Sequence, residues 1–149
     1  MPRRIAYYQV APDAVKALSA TRPYIDSSTI DARLRALIEL RVSQINGCAY
    51  CVDLHSREAR QAGETQQRLD CLPVWRETPF FDDRERAALA WAESVTLVAQ
   101  TGVPDTVYEE ARNRLSEKEL VDLTLIVAVM NAWNRIAISF RQSPTTRQE

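Results

Sequence analysis

Glycine is scarce in this chain: three residues in 149. With seven prolines, they fall between helical patterns rather than inside them, which leaves little turn chemistry for an all-β fold. Long apolar runs are also missing. The longest stretch, Leu123 to Val129 around Thr124, is far shorter than the roughly 20 residues a bilayer-spanning helix needs. Neither sign of charge is in excess. The formal net charge is −1, so nothing global points to a nucleic-acid or anionic-membrane partner. No apolar segment follows Arg3 and Arg4, so the N-terminus does not read as a signal peptide. The expected compartment is the cytoplasm, where thiols stay reduced and cysteine pairs are more often catalytic or metal-binding than structural. What the chain does have is a 46% hydrophobic content, enough for the core of one domain over residues 1–149.

The patterning reads as all-α, with about six helices. The first is expected over Pro12 to Ala20, followed by a loop from Thr21 to Ser28. Ser28 or Thr29 is expected to cap a second helix, with Asp31 in its first turn and Ile30, Leu34, Leu37, Ile38 and Val42 at helical spacing. Asn46-Gly47 ends it, and a third helix starts near Cys48 and runs to about Gln61. Leu69 to Phe81 reads as an irregular connector. Asp82 and Asp83 cap a fourth helix through Ala99, and a fifth spans about Asp105 to Leu115. Ser116 and Glu119 fit a capping box for a last helix reaching Phe140. The polar tail after Pro144 is expected to fray. The last helix is apolar around most of its circumference from Leu120 to Ala132, which calls for burial at the centre of the fold or at a subunit interface, and favours self-association.

Two of the three cysteines and the single histidine lie within eight residues. On a helix, Cys48 and Cys51 are i and i+3, and Cys51 and His55 are i and i+4, so one strip of surface presents thiol, thiol and imidazole. A helix start supplies unpaired N–H groups and the positive end of the macrodipole, which favour a thiolate. A histidine beside it can take the proton. These are the requirements for attacking a peroxide O–O bond or a disulfide, with the neighbouring thiol closing the oxidised product. Zinc is the competing reading. Cys48, Cys51 and His55 supply three ligands and Cys71 a fourth in principle, but no second ligand pair follows. Cys71 otherwise reads as a non-catalytic thiol, Tyr50 as a packing aromatic, with the lining of a substrate entrance as the alternative, and Arg57 to Arg60 as a solvated helix face. Arg135, if buried, needs a carboxylate partner.

The stretch Arg41 to His55, with Asn46-Gly47, both cysteines and the histidine in register, resembles the AhpD-like alkylhydroperoxidase and carboxymuconolactone decarboxylase family. Trp75 to Phe81, Arg84 to Trp91 and Asn131 to Ala137 look like that family's connector, following helix and last helix, so the resemblance covers roughly residues 30–141. It implies an all-helical bundle that assembles into trimers or hexamers. It also implies reduction of organic hydroperoxides without haem, metal or other cofactor, with re-reduction by a thiol/disulfide electron donor. By position, Cys51 would attack, Cys48 would resolve, and His55 would belong to a proton relay. The family's relay glutamate falls at Ala36, a departure; Glu39, one turn later, is the candidate to stand in for it, against a reading as a solvated or interface charge.

Two other function classes follow. A lactone decarboxylase, the other activity in the family name, needs no redox cysteines. A redox-sensing or scaffold oligomer with little turnover is motivated by Ala36.

Overall fold

A computed structural model describes residues 2–146. The described residues contain helices and no strand: α1 (Tyr7–Val10), α2 (Pro12–Ser19), α3 (Arg22–Asp26), α4 (Ala32–Asn46), α5 (Ala49–Gln61), α6 (Gln66–Cys71), a 3-10 segment (Leu72–Glu77), α7 (Asp83–Thr96), α8 (Val98–Thr101), α9 (Asp105–Arg114) and α10 (Glu117–Ser139). The six expected helices correspond to α2, α4, α5, α7, α9 and α10. The remaining segments are short, and they correct the sequence reading in two places. The presumed loop after α2 contains α3, and the presumed irregular connector from Leu69 contains the end of α6 and the 3-10 segment. Each of these helical pieces is only five or six residues long, too short for hydrophobic periodicity to register. The tail expected to fray after Pro144 is exposed and without regular structure as far as Thr146, and residues 147–149 lie outside the described residues.

Helix starts follow side-chain capping. Asp31, not Ser28 or Thr29, caps α4, its Oδ1 accepting from the N–H groups of Arg33 and Leu34 at 3.1 and 3.0 Å. Thr29 is instead drawn to Asp122 of α10. Asp82 with Glu85, and Ser116 with Glu119, form full capping boxes at α7 and α10.

Helix α4 sits at the centre and packs against α5, α7 and α10. Leu37, Ile38, Leu40 and Val42 are almost completely enclosed, together with Leu89 of α7 and Leu123, Ile126 and Val127 of α10. At roughly 1.5–3 kcal/mol per buried aliphatic side chain, this cluster is the main favourable term holding the helices together. Ala36 lies in the same apolar cluster.

Three buried or part-buried carboxylates fasten the elements to one another. Glu64 accepts from Arg33 and Arg68. Glu93 accepts from Arg41 of α4 at 2.8 Å and from the Trp75 indole at 2.9 Å, so the Arg41 that opens the cysteine motif serves to hold α4 against the connector. Asp122 accepts from the Thr29 N–H and hydroxyl, the Tyr24 hydroxyl and Lys118.

α10 is long and apolar enough, by length and composition alone, to cross a membrane, with a mean hydropathy of 1.4. Here it packs on α4 and α7 along one side, while Val121 is 67% exposed on the other. Its apolar circumference is thus only partly covered within one chain.

Candidate active site

The turn between α4 and α5 is built from backbone geometry that Asn46-Gly47 allows. Gly47 takes φ +70°, a left-handed conformation that costs a residue with a Cβ. Its N–H donates to the Gln44 carbonyl and that of Cys48 to the Ser43 carbonyl, closing α4 in a Schellman motif. The chain then starts α5 at once. Cys48 is the N-cap, and its sulfur accepts from the Cys51 N–H at 3.3 Å. The two cysteines are joined as a disulfide, with Cα atoms 5.3 Å apart. The zinc quartet of Cys48, Cys51, His55 and Cys71 is not assembled among the described residues.

A polar network holds this turn from below. The Asn46 amide donates to Asn131 Oδ1 at 3.0 Å and to Asn134 Oδ1 at 2.9 Å. Asn134, fully buried, donates to Ser43 Oγ, which donates to the Glu39 carbonyl at 2.7 Å. Asn134 thereby acquires a role that the sequence left blank: it ties the cysteine turn to α10. Arg135 is exposed and caps Asn131, donating to its carbonyl and side-chain oxygens. Among the described residues it forms no ion pair with a carboxylate, because the guanidinium stays in water, where none is needed.

Beside the turn lies a cavity of about 320 Å³. Cys51 lines it and Cys48 does not; Cys48 is 1% exposed, behind its partner. His55 and Glu39 both line it, so the packing of α5 on α4 brings together residues 16 positions apart in sequence. His55 Nδ1 is 3.6 Å from Glu39 Oε2. It is closer still, at 2.7 Å, to Glu58 Oε2. Glu58 was missed: Arg57 to Arg60 is not simply a solvated face, since Glu58 is half-buried in the cavity wall and Ala59 is fully enclosed. The available signal was the i, i+3 spacing of His55 and Glu58 on one helix.

The two carboxyls are tuned in opposite directions. Burial pushes Glu39 above the ordinary carboxyl range, partly offset by His55. The hydrogen bond with His55 holds Glu58 below it.

The remaining wall is largely apolar: Ile25, Leu54, Val129, Met130 and Trp133, with Tyr7 and Tyr50. Tyr50 therefore faces the cavity and also packs on the core. Part of the wall comes from the N-terminal segment. Tyr7 packs its ring on Phe140 with centroids 5.7 Å apart, and the Arg4 N–H donates to the Phe140 carbonyl at 3.0 Å. Arg22 on α3 reaches the rim, paired with Asp26 at 2.8 Å. Neither Tyr7 nor Arg22 was singled out from sequence, because no local pattern connects the N-terminal segment with α5.

The carboxymuconolactone decarboxylase family model matches residues 12–94, more than half of the chain. An uncharacterised Bacillus subtilis protein, YdfG, is 43% identical over 139 residues, covering 93% of this chain and 95% of its own. A crystallised protein of unknown function from Agrobacterium tumefaciens, described as a candidate antioxidant defence protein AhpD, is 43% identical with a TM-score of 0.93, covering 97% of this chain and all of its own. An uncharacterised peroxidase-related protein from a Silicibacter species shares the fold at 24% identity and a TM-score of 0.82, covering 93% of this chain and 74% of its own. The chain belongs to the carboxymuconolactone decarboxylase family, as an AhpD-like member.

Proposed function

We propose that the protein is a thiol peroxidase that reduces organic hydroperoxides through Cys48 and Cys51. The observation that carries this reading is the asymmetry of the pair: both sulfurs are enclosed, but Cys51 lines the cavity with His55 and Cys48 does not. In the reduced state, the Cys51 thiolate attacks the distal peroxide oxygen. The S–O bond forms, the O–O bond breaks, and the alkoxide leaves as an alcohol once protonated. The Cys48 thiol then displaces water from the Cys51 sulfenic acid, giving the disulfide. An external dithiol donor supplies two electrons and two protons to restore the pair.

His55, hydrogen-bonded to Glu58 and near Glu39, is placed to move the protons. A buried Glu39 in the neutral form is a proton source for the leaving alkoxide. These two carboxyls supply what Ala36 cannot, and so weaken the case for a sensor or scaffold without turnover. The largely apolar wall favours hydroperoxides with a hydrocarbon body over hydrogen peroxide.

We further propose that the chain self-associates through the uncovered side of α10, where Val121, Leu125 and Ala128 form a shallow apolar hollow with Trp91 and Tyr108. Sedimentation should show a homo-oligomer; a monomer at micromolar concentration defeats this part.

The activity is tested by peroxide consumption in the presence of a dithiol reductant. Wild type should turn over and Cys51→Ser should fall to the uncatalysed rate, while Cys48→Ser, reduced beforehand and then freed of reductant, should consume one peroxide per chain and accumulate a sulfenic acid at Cys51. Equal rates in wild type and Cys51→Ser refute the reading.

A further inference from the structure

Glu39 is a buried carboxylate without a donor. It is 7% exposed, it lines the cavity, and among the described residues no side-chain or backbone N–H or O–H donates to its carboxyl oxygens. The nearest side-chain nitrogen paired with it is His55 Nδ1, at 3.6 Å, beyond hydrogen-bond length. Burying a carboxylate this way is costly unless it stays neutral or meets a cation. Elsewhere in the core, buried carboxylates are given donors: Asp122, Glu64 and Glu93 each accept several hydrogen bonds. The cavity next to Glu39 is where its missing partner would lie.

The geometry points to a divalent-cation site formed by Glu39, His55 and Glu58, of the kind that takes Zn²⁺. One ligand atom from each of the three residues lies within 4.8 Å of the other two. Ligands held about 2.0–2.2 Å from a shared ion stand about 3–3.5 Å from each other. The measured separations, 2.7 Å from Nδ1 to Glu58 and 3.6 Å from Nδ1 to Glu39, bracket that spacing. The two carboxylates lie within 4.8 Å of each other, and side-chain rotation draws them together onto one ion.

The donor set is one imidazole nitrogen and two carboxylate oxygens, which suits a first-row divalent ion over a thiophilic one. Two negative charges against one dication leave the site neutral overall. At the rim, Asp26 is shared by Arg22 and Arg35, neither of which is within ion-pair distance of Glu39. The ligands come from two helices, α4 and α5, so their spacing is set by packed elements and not by a loop. Three protein ligands and an adjoining cavity leave a coordination position for water or a small ligand.

The inference about binding is independent of the peroxidase reading. Its consequence rests on that reading: a bound cation takes His55 Nδ1 and both carboxylates together, so cation binding and proton transfer exclude each other.

The test is calorimetric titration with ZnCl₂ of the full chain, kept with its disulfide intact and carrying Cys71→Ser so that no thiol competes for metal. The expected result is saturable binding of one Zn²⁺ per chain, weakened at least tenfold by Glu39→Gln and by Glu58→Gln. Glu58 is partly exposed, so Glu58→Gln keeps the test open even if Glu39→Gln does not fold. Absence of saturable binding, or binding unchanged by Glu58→Gln, overturns the site. Peroxide turnover of the reduced wild type in excess chelator separates the two ideas. Zinc binding without turnover sinks only the peroxidase reading, and turnover without zinc binding sinks only this one.

Discussion

Two acidic side chains are buried in the same core and are treated in opposite ways. Asp122, 1% exposed on α10, is surrounded by the Thr29 N–H and hydroxyl, the Tyr24 hydroxyl and Lys118. Burial alone would push its carboxyl up; the donors outweigh that and hold it well below the usual carboxylate range. Glu39 has burial and little to oppose it, and sits above that range. The first carboxylate joins α10 to the segment between α3 and α4, and its charge is fully used. The second faces a cavity beside Cys51, with no hydrogen-bond donor and with His55 Nδ1 3.6 Å away. A completed set of donors marks a structural carboxylate, and an incomplete set beside a cavity marks one available for chemistry.

The contrast can be broken first by substitution. Asp122→Ala removes an acceptor and strands several donors, and should cost about 3 kcal/mol. For a chain of this size that lowers Tm by about 6–12 °C, with peroxide consumption per folded molecule unchanged. Glu39→Gln should do the reverse. Stability should stay within about 1 kcal/mol of wild type, while peroxide reduction slows about 10²-fold, the scale of a lost general acid. A large stability loss in Glu39→Gln with normal turnover would make Glu39 another structural carboxylate.

The same comparison predicts opposite slopes with pH. Asp122 titrates lower in the folded than in the unfolded chain. Its contribution is therefore complete above the unfolded value of about 3.9 and is lost as pH falls through the folded value. Glu39 titrates higher when folded, so its contribution is complete below the unfolded value of about 4.3 and is lost as pH rises through the folded value. Denaturant titrations across this range should show Asp122→Asn flattening the acid limb, and Glu39→Gln removing a loss of stability at higher pH. The smallest effect is expected from Glu58→Gln. It leaves the imidazole in place but removes its 2.7 Å partner, and should slow peroxide reduction about tenfold.

The parts of this site that were legible in sequence are those carried by one helix. Cys48, Cys51 and His55 fall in register on α5, and the Asp82 cap of α7 and the Ser116–Glu119 capping box of α10 are visible in a few adjacent residues. What was illegible depends on packing between segments. That Glu39 lies at the cavity follows from how α4 lies on α5, which helical spacing alone could suggest but not decide. Tyr7 and Arg22 reach the cavity from short N-terminal helices whose four and five residues have no periodicity to read. Glu58 is a different case: its i, i+3 spacing from His55 is plain in the sequence, but it lies in a charge-rich run, and most such runs face solvent.

The first cysteine does two jobs with one atom. Cys48 Sγ is half of the disulfide and also the acceptor that caps α5 through the Cys51 N–H. Breaking the bond changes the charge and position of that acceptor. The electron count of the pair is therefore written into a backbone amide. In a heteronuclear NMR spectrum, the Cys51 amide should move on reduction further than any other α5 resonance beyond the first turn. It offers a redox gauge within the protein that needs no label, and it can be followed while the donor is being identified.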